Sequence, residues 1–458
     1  MRVIICGAGQ VGYNIAAYLS KEENEVTLID INASLIAQIN ENLDVRGLVG
    51  HASNPDTLNG AGANDADMII AVTHSDEVNM VACQIGHSLF GIPKKIARIR
   101  AQSYLQPAWS NLFSRAHMPI DVIISPEVVI ATDIYQRLAV PGTTFVASLA
   151  DGLAHLIGVV CKEDCPVINT PLNQLRNLFP DLSFKVVAIL RDNVPIIPSQ
   201  DEQLMVGDEV FFAVDTHHLK RTMAAFGNEE TEARRIVIAG GGNIGYGLAQ
   251  LLMEKGRGIQ IKMIEHNEER AQFLSDNLEG VIVLRGDALA QGILEEASIE
   301  NVETFVAVTN DDESNILGSL LAKQRGANRV VTLVNNEAYS SLVSPLGIDT
   351  IVSPRATIVG TIMQHVRKGR IKGLYNLRDG FAEIIEAEVS DKVSIVNAPI
   401  EDLEIANEVI VAAIIRDDEV LMPEAAQIIK VDDRVIILAA QEQVSEVEKM
   451  FSVQVDLF

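Results

Sequence analysis

Aromatic side chains are scarce in this chain, 5% of 458 residues, with a single tryptophan, Trp109. Apolar residues still make up 48%, dominated by Ile, Val, Leu and Ala. That mixture suits α/β domains with buried parallel strands. Positive charge is also short: 36 Lys and Arg stand against 62 Asp and Glu, a formal net charge of −26. Such a chain is repelled by nucleic-acid phosphates and anionic headgroups, so no nucleic-acid partner is expected. One basic patch, Arg367-Lys368-Gly369-Arg370-Ile371-Lys372, breaks the trend. It reads as a solvated loop, or as a contact for a phosphate, a lipid or a partner.

No apolar run approaches the roughly 20 residues a membrane-spanning helix needs. The first apolar stretch, Val3 to Cys6, is too short for the core of a signal peptide. There are four cysteines. Cys6 and Cys83 lie in apolar contexts and read as buried thiols. Cys161 and Cys165 can pair or bind a metal, but no second Cys or His pair stands nearby, and reduced cytosolic thiols are the plainer reading. Catalytic machinery is missing too. There is no GxxxxGK[ST] loop, no metal-spaced His/Cys cluster and no Ser/His/Asp arrangement. Neither a catalytic residue nor a metal ligand is expected.

What the chain does have, it has twice. Gly7-Ala8-Gly9-Gln10-Val11-Gly12 follows the strand-like run Val3 to Cys6, and Gly240-Gly241-Gly242-Asn243-Ile244-Gly245 follows Ile236 to Ala239. Both are GxGxxG turns between a strand and a helix. Their first glycine permits the tight turn, the second a close approach to a pyrophosphate, and the third helix-on-strand packing. The N–H groups at the helix start, with the helix dipole, attract phosphate. One such motif is weak evidence, but two in matching contexts indicate a duplication.

The repeat continues along the chain. Val26 to Asp30 matches Ile261 to Glu265, Ala71-Val72-Thr73 matches Ala307-Val308-Thr309, and Ser125-Pro126 matches Ser353-Pro354. Further on, Asp151-Gly152 matches Asp379-Gly380, Arg191-Asp192 matches Arg416-Asp417, and Val206 to Val210 matches Val431 to Val435. The repeated unit is therefore a large domain followed by a small one. Strands of the first large domain are expected near 2–6, 25–30, 46–50, 67–72, 95–99 and 121–124, with helical stretches between them. The fold expected is α/β, a tandem duplication of a Rossmann-like doubly wound parallel sheet, each copy followed by a small α+β module. The expected domains are 1–136, 137–227, 233–364 and 365–458. The polar run Gly227 to Glu232 reads as a hinge between the halves.

Asp30 and Glu265 end the second strand of each copy, where a carboxylate can accept both hydroxyls of an adenosine ribose and repel a 2′-phosphate. This favours NAD or an adenine nucleotide over NADP; a helix-capping or solvated acid is the alternative. Thr73 and His74 follow the fourth strand, where a doubly wound sheet holds its ligand, or they are plain loop. Arg98 and Arg100 alternate on the fifth strand and need an anion, either bound phosphate or an internal carboxylate. Aligning Lys95–Arg100 on Arg329–Val334 leaves no arginine in the second copy. The second site is then expected to take a less charged nucleotide, to bind more weakly, or to be structural.

Together these segments resemble the RCK (regulator of K⁺ conductance, or KTN) family. The resemblance covers the whole chain and rests on GAGQVG with Asp30, Asp67 to Thr73, Asn79 to Gln84, Ile96 to Arg100, the second glycine turn and Thr309 to Glu313. It implies four alternating RCK N and RCK C domains. It implies a peripheral protein at the cytoplasmic face of the inner membrane, forming a homo-oligomeric, tetrameric gating ring beneath a channel-like potassium subunit. NAD(H) and ATP/ADP would bind and change the shape of the ring. Carried over, the first site comprises Gly7, Ala8, Gly9, Gln10, Val11, Asp30, Thr73, His74 and Arg98. The second comprises Gly240, Gly241, Gly242, Asn243, Ile244 and Glu265. The competing reading is an NAD-dependent oxidoreductase, which would need a proton donor near the nicotinamide.

Overall fold

Val3, Ile4, Ile5 and Cys6 are all buried, as an interior strand covered on both faces requires. The computed structural model describes residues 1–451 apart from 22–23, 193, 257, 337, 340–342, 344–345, 367–370, 378–380, 392, 394, 401–408 and 425. The first large domain has six parallel strands: β1 (Arg2–Cys6), β2 (Glu25–Asp30), β3 (Arg46–Val49), β4 (Met68–Ala71), β5 (Lys94–Arg98) and β6 (Val122–Ile124). They lie in the order β3-β2-β1-β4-β5-β6 with helical crossovers. The order reverses between β1 and β4, which opens a ligand crevice beyond their carboxyl ends.

The first small module pairs β7 (Phe145–Leu149), β8 (Ala154–Val160), β9 (Phe184–Arg191), β10 (Val194–Ile196) and β11 (Glu209–Asp215) into an antiparallel sheet ordered β10-β9-β11-β8-β7. The second large domain has β12 (Arg235–Ala239), β13 (Gln260–Glu265), β14 (Val281–Arg285), β15 (Thr304–Ala307), β16 (Arg329–Leu333) and β17 (Thr350–Val352), in the strand order of the first. The second small module has β18 (Ile371–Leu377), β19 (Ala382–Glu388), β20 (Val409–Arg416), β21 (Glu419–Leu421) and β22 (Arg434–Ala440), ordered β18-β19-β22-β20-β21.

Contacts group the chain into two units, Met1–Ile134 with Arg234–His365, and Tyr135–Ala233 with Val366–Phe458. Large domains cluster with large and small with small, rather than first half against second. In the first unit the Thr357 hydroxyl donates to Asp133 at 3.3 Å and Arg355 donates to Asn14. In the second, the two modules share one core that includes Leu156, Phe211, Ile384 and Leu438. At the expected hinge, Asn228 donates to the carbonyls of Met223 and Pro141 at 2.9 and 3.2 Å, so Gly227 and Asn228 are anchored to the first module. Of the basic patch, Arg367 to Arg370 lie outside the described residues, as do Asp379 and Gly380.

Strand pairing corrects one alignment. Ala71 of β4 pairs with Ala97, and its counterpart Ala307 pairs with Thr332. The equivalent of Arg98 is therefore Leu333, not Thr332, and that of Arg100 is Asn335, not Val334. Hydrogen bonds agree: Asp76 receives the Arg100 amide as Asp312 receives that of Asn335. The second copy has lost one residue before β16, an indel that residue identity alone could not place. The second copy still has no arginine at these two positions.

One ion pair recurs in both small modules. The Arg191 guanidinium grips Asp208 through Nε and Nη2 at 2.9 Å each, and Asp208 also accepts the Met205 amide at 2.8 Å. Arg416 grips Asp433 the same way at 2.8 and 2.7 Å, with the Lys430 amide at 2.7 Å. Both aspartates are 1% exposed. Removing the buried carboxylate takes away the acceptor of the Met205 amide and two of the Arg191 bonds, and costs about 3 kcal/mol. Asp208→Ala is expected to lower the stability of the first module by that amount, read as roughly hundredfold faster amide exchange in β9 and β11.

Candidate nucleotide-binding site

Gly7 turns the chain out of β1 at φ +111°, and a Cβ there would sit 3.0 Å from the Thr73 amide nitrogen. A Cβ on Gly12 would lie 1.8 Å from the Gly7 carbonyl oxygen, so the third glycine lets the helix Gln10–Ser20 seat on the strand. Gly9 differs: a Cβ there meets nothing within 4 Å. Protein packing does not require this glycine, whereas a pyrophosphate lying on the loop would. The same holds in the second copy. Gly240 has φ +111°, a Cβ on Gly245 would lie 2.0 Å from the Gly240 carbonyl oxygen, and Gly242 faces open space.

The helix starts tell the same story. Helices Ala33–Asn42, Pro55–Gly60 and Asp76–Ser88 begin under side-chain caps from Asn32, Asn54 and Ser75. The helices after the glycine turns begin at Gly9 and Gly242 with no side-chain cap. Their first N–H groups, around Gln10 and Val11 and around Asn243 and Ile244, receive no side-chain cap and point where an anion is attracted by the helix start.

Asp30 braces the loop. Its Oδ2 accepts from the Ala8 amide at 2.6 Å and its Oδ1 from the Asn32 amide at 2.8 Å. It is half-buried, and each oxygen retains a lone pair for a ribose hydroxyl. The helix that follows is capped by Asn32, so Asp30 is not the helix-capping acid of the alternative. Glu265 repeats the brace through the Gly241 and Asn267 amides at 2.8 Å each, with His266 Nδ1 at 3.1 Å, and is 7% exposed. Two side chains leave no room for a larger loop residue here: a Cβ at Gly241 would fall 2.2 Å from Leu274 Cδ1 and 2.9 Å from Glu265 Oε2.

Thr73 is not available as expected. Its hydroxyl donates to Asn79 at 2.7 Å, and Asn79, fully buried, ties the carbonyls of Thr73 and Arg98 together at 3.2 and 2.9 Å. The threonine shapes the crevice floor rather than offering a hydroxyl. His74 beside it is exposed.

The two arginines part company because β5 ends at Arg98. Arg100, beyond the strand, takes the internal carboxylate, with Nε 3.1 Å from Glu127 Oε1. Arg98 Nη2 donates to the Thr73 carbonyl at 2.9 Å, while its Nε is buried with no hydrogen-bond partner among the described residues. Burial, then neighbouring Arg100, depresses the Arg98 guanidinium below its usual range. A buried donor on a cation with no protein acceptor is a group an anion in the crevice could satisfy.

Sequence reasoning missed a compensating cation. In the second copy Arg270 Nε donates to the Gly241 carbonyl at 2.7 Å, and its guanidinium carbon lies 4.7 Å from the centre of the Phe273 ring. Counting from the paired acids and helix caps, and from the β2–β3 and β13–β14 registers, Ile31, Leu35 and Val49 correspond to His266, Arg270 and Arg285. The second site has no arginine on its β16 wall, and has Arg270 in the helix after β13 and Arg285 at the end of β14. The duplicated alignment held this signal three residues beyond Asn267.

Among the described residues no group of His, Cys, Asp and Glu could hold a metal, and no helix is long and apolar enough to cross a membrane. Gly9→Ala with Gly242→Ala is expected to change stability by less than about 1 kcal/mol while weakening adenine-nucleotide binding about tenfold or more, measured by calorimetry on the full chain. Gly12→Ala is expected to fail on stability first.

Comparison with known proteins agrees with this architecture. The TrkA-N domain model matches residues 3–126 and 236–354, and the TrkA-C domain model matches 156–227 and 384–452. The chain is 45% identical over 458 residues to the Trk system potassium uptake protein TrkA of Azorhizobium caulinodans, covering 100% of both. It is 40% identical to the protein of that name from Halomonas elongata, again over 100% of both. Among solved structures, the GsuK channel bound to NAD superposes over 98% of this chain and 78% of that one, with TM-score 0.61 and 18% identity, a likeness of fold. Duplicated glycine turns, duplicated small modules and these matches together place the chain in the TrkA family of Trk system potassium uptake proteins.

Proposed function

We propose that the chain reports adenine-nucleotide state to a TrkH-like membrane potassium subunit and gates its K⁺ flux without consuming the nucleotide. NAD(H) and ATP/ADP would occupy the crevices at Gly7 to Val11, Asp30 and Arg98, with His74 at the rim, and at Gly240 to Ile244 and Glu265. The observation that carries this reading is the pair of helix starts at Gly9 and Gly242, with no side-chain cap and with open space where either glycine's Cβ would be. The unpartnered Arg98 Nε supports an added phosphate in the first crevice. A solved relative in fold is a channel bound to NAD. The proposed domains are 1–136, 137–227, 233–364 and 365–458, assembled as a tetrameric ring peripheral to the cytoplasmic face of the membrane.

Gating of this kind is differential affinity. A ligand shifts a conformational equilibrium only by as much as it prefers one state. A tenfold preference at one site is worth about 1.4 kcal/mol, and sites in one ring add. Two unlike crevices per chain allow two nucleotides to push in different directions. Arg98 suits the more highly charged ligand, and Leu333 at the equivalent position does not.

K⁺ flux through vesicles carrying the membrane subunit, with and without this chain and under each nucleotide in turn, tests the reading. A change of about tenfold between nucleotides is expected. Arg98→Leu is expected to lose the triphosphate response and keep the response to NADH. NADH absorbance should stay constant across a panel of carbonyl substrates. Flux indifferent to every nucleotide, or steady consumption of NADH, refutes it.

A further inference from the structure

Cys161 and Cys165 lie far from both crevices in sequence and are used by nothing above. Cys161 follows β8; its amide donates to the Asp208 carbonyl and its carbonyl accepts from the Gly207 amide, both at 2.8 Å. The chain then turns tightly, with the Cys165 amide donating to the Lys162 carbonyl at 3.1 Å. Both thiols are free and buried in one apolar cluster beneath this turn, with Val167 beside them. Lys162, Glu163 and Asp164, the residues of the turn itself, are exposed, so the buried pair lies directly beneath the surface.

The duplication supplies an internal control. In the second module the Val389 amide donates to the Asp433 carbonyl at 2.9 Å, and the Val393 amide to the Ser390 carbonyl at 3.2 Å. Val389 and Val393 therefore occupy the positions of Cys161 and Cys165, and both are buried, at 0% and 3% exposure. Valine satisfies the packing of this turn. The paired thiols of the first module are not needed for the fold, and what they add is chemistry.

That chemistry is asymmetric. The Cys161 thiol and the Val167 amide hold Cys165 down to about 7, while donating to Cys165 and burial push Cys161 up. Cys6 is pushed up to about 12 by burial alone, and Cys83 is raised likewise. A thiol held near neutrality beside a second thiol is the arrangement of an attacking and a resolving cysteine.

We propose that Cys161 and Cys165 form a redox modification site, in which a hydroperoxide oxidises the pair to an intramolecular disulfide. The Cys165 thiolate attacks the peroxide oxygen, the O–O bond breaks, and the departing alkoxide or hydroxide takes a proton. The resulting sulfenic acid is attacked by the Cys161 sulfur, which forms the S–S bond, loses its proton and expels water. Two thiols are oxidised, and one hydroperoxide is reduced to an alcohol and water. The site lies against the chain leaving the module: a Cβ on Gly227 would fall 3.1 Å from Cys165 Cα, and Lys162 Nζ stands 4.0 Å from Glu230.

The test treats the full chain with hydrogen peroxide at neutral pH, alkylates it under denaturing conditions and maps the four cysteines by mass spectrometry. Loss of two hydrogens from the peptide holding Cys161 and Cys165 is expected, reversed by dithiothreitol, with Cys6 and Cys83 still alkylated. Cys161→Ser should stop at a Cys165 sulfenic acid trapped by dimedone, a readout independent of whether the double variant folds. Cys161→Val with Cys165→Val, copying the second module, should keep the native unfolding midpoint and lose the response. Both thiols surviving peroxide, or Cys165 over-oxidised while Cys161 stays free, overturns the proposal.

Discussion

Each crevice depends on one carboxylate bonded to two backbone amides. Asp30 and Glu265 hold the glycine loop on one side and the next helix cap on the other. Charged acceptors bind amides about twice as strongly as neutral ones. The brace keeps the loop's own donors from collapsing onto the sheet and leaves the first helical turn open. The two copies show that it is maintained under substitution: Glu265 replaces Asp30 where Gly241 replaces Ala8, and a Cβ at Gly241 would collide with both Leu274 and Glu265. Loop and acid behave as one unit, although more than twenty residues separate them.

Around that common frame the charges have moved. The first copy places Arg98 on its β5 wall, with one donor unsatisfied. The second has Leu333 there and Arg270 at the opposite corner, seated on an aromatic ring and bonded to the loop carbonyl. The aspartate opening β6 or β17 shows the same drift. Asp121 meets buried Lys95 from the neighbouring strand, whereas Asp349 meets Lys323 from a helix, both at 2.7 Å. The anionic anchor is kept and its cation comes from elsewhere, as local desolvation requires of a partly buried carboxylate. The duplicate crevices share a frame and differ in where their charge sits.

The small modules follow a parallel logic. The Arg191–Asp208 and Arg416–Asp433 pairs close the same turn in both, but the contacts joining the modules are one-sided. Lys185 donates to the Val411 carbonyl at 2.8 Å, and the Ala150 amide donates to Glu386 at 3.0 Å. Arg434 binds Asp151 at 2.7 Å and Glu386 at 3.3 Å. Strand register puts Ile410 opposite the role of Lys185, and Gly158 opposite that of Glu386, so neither bond has a twin. Lys185 is held down to about 8, mainly by its burial.

By itself the sequence determined the duplication, the doubly wound sheets, both glycine turns and the acids beyond them. These are local signals: a strand, a turn that only glycine can make and a helix follow one another within about a dozen residues, and the repeat doubles each of them. Tertiary structure alone decided that Arg100 goes to Glu127 and Arg98 does not, that the Thr73 hydroxyl belongs to Asn79, and that Leu333 rather than Thr332 replaces Arg98. It also placed Arg270 on the second loop. Each of these is a contact between residues distant in the chain. Which of two nearby cations finds the carboxylate depends on where a strand ends and how its neighbours register, and a pattern read along the chain carries no distance across it.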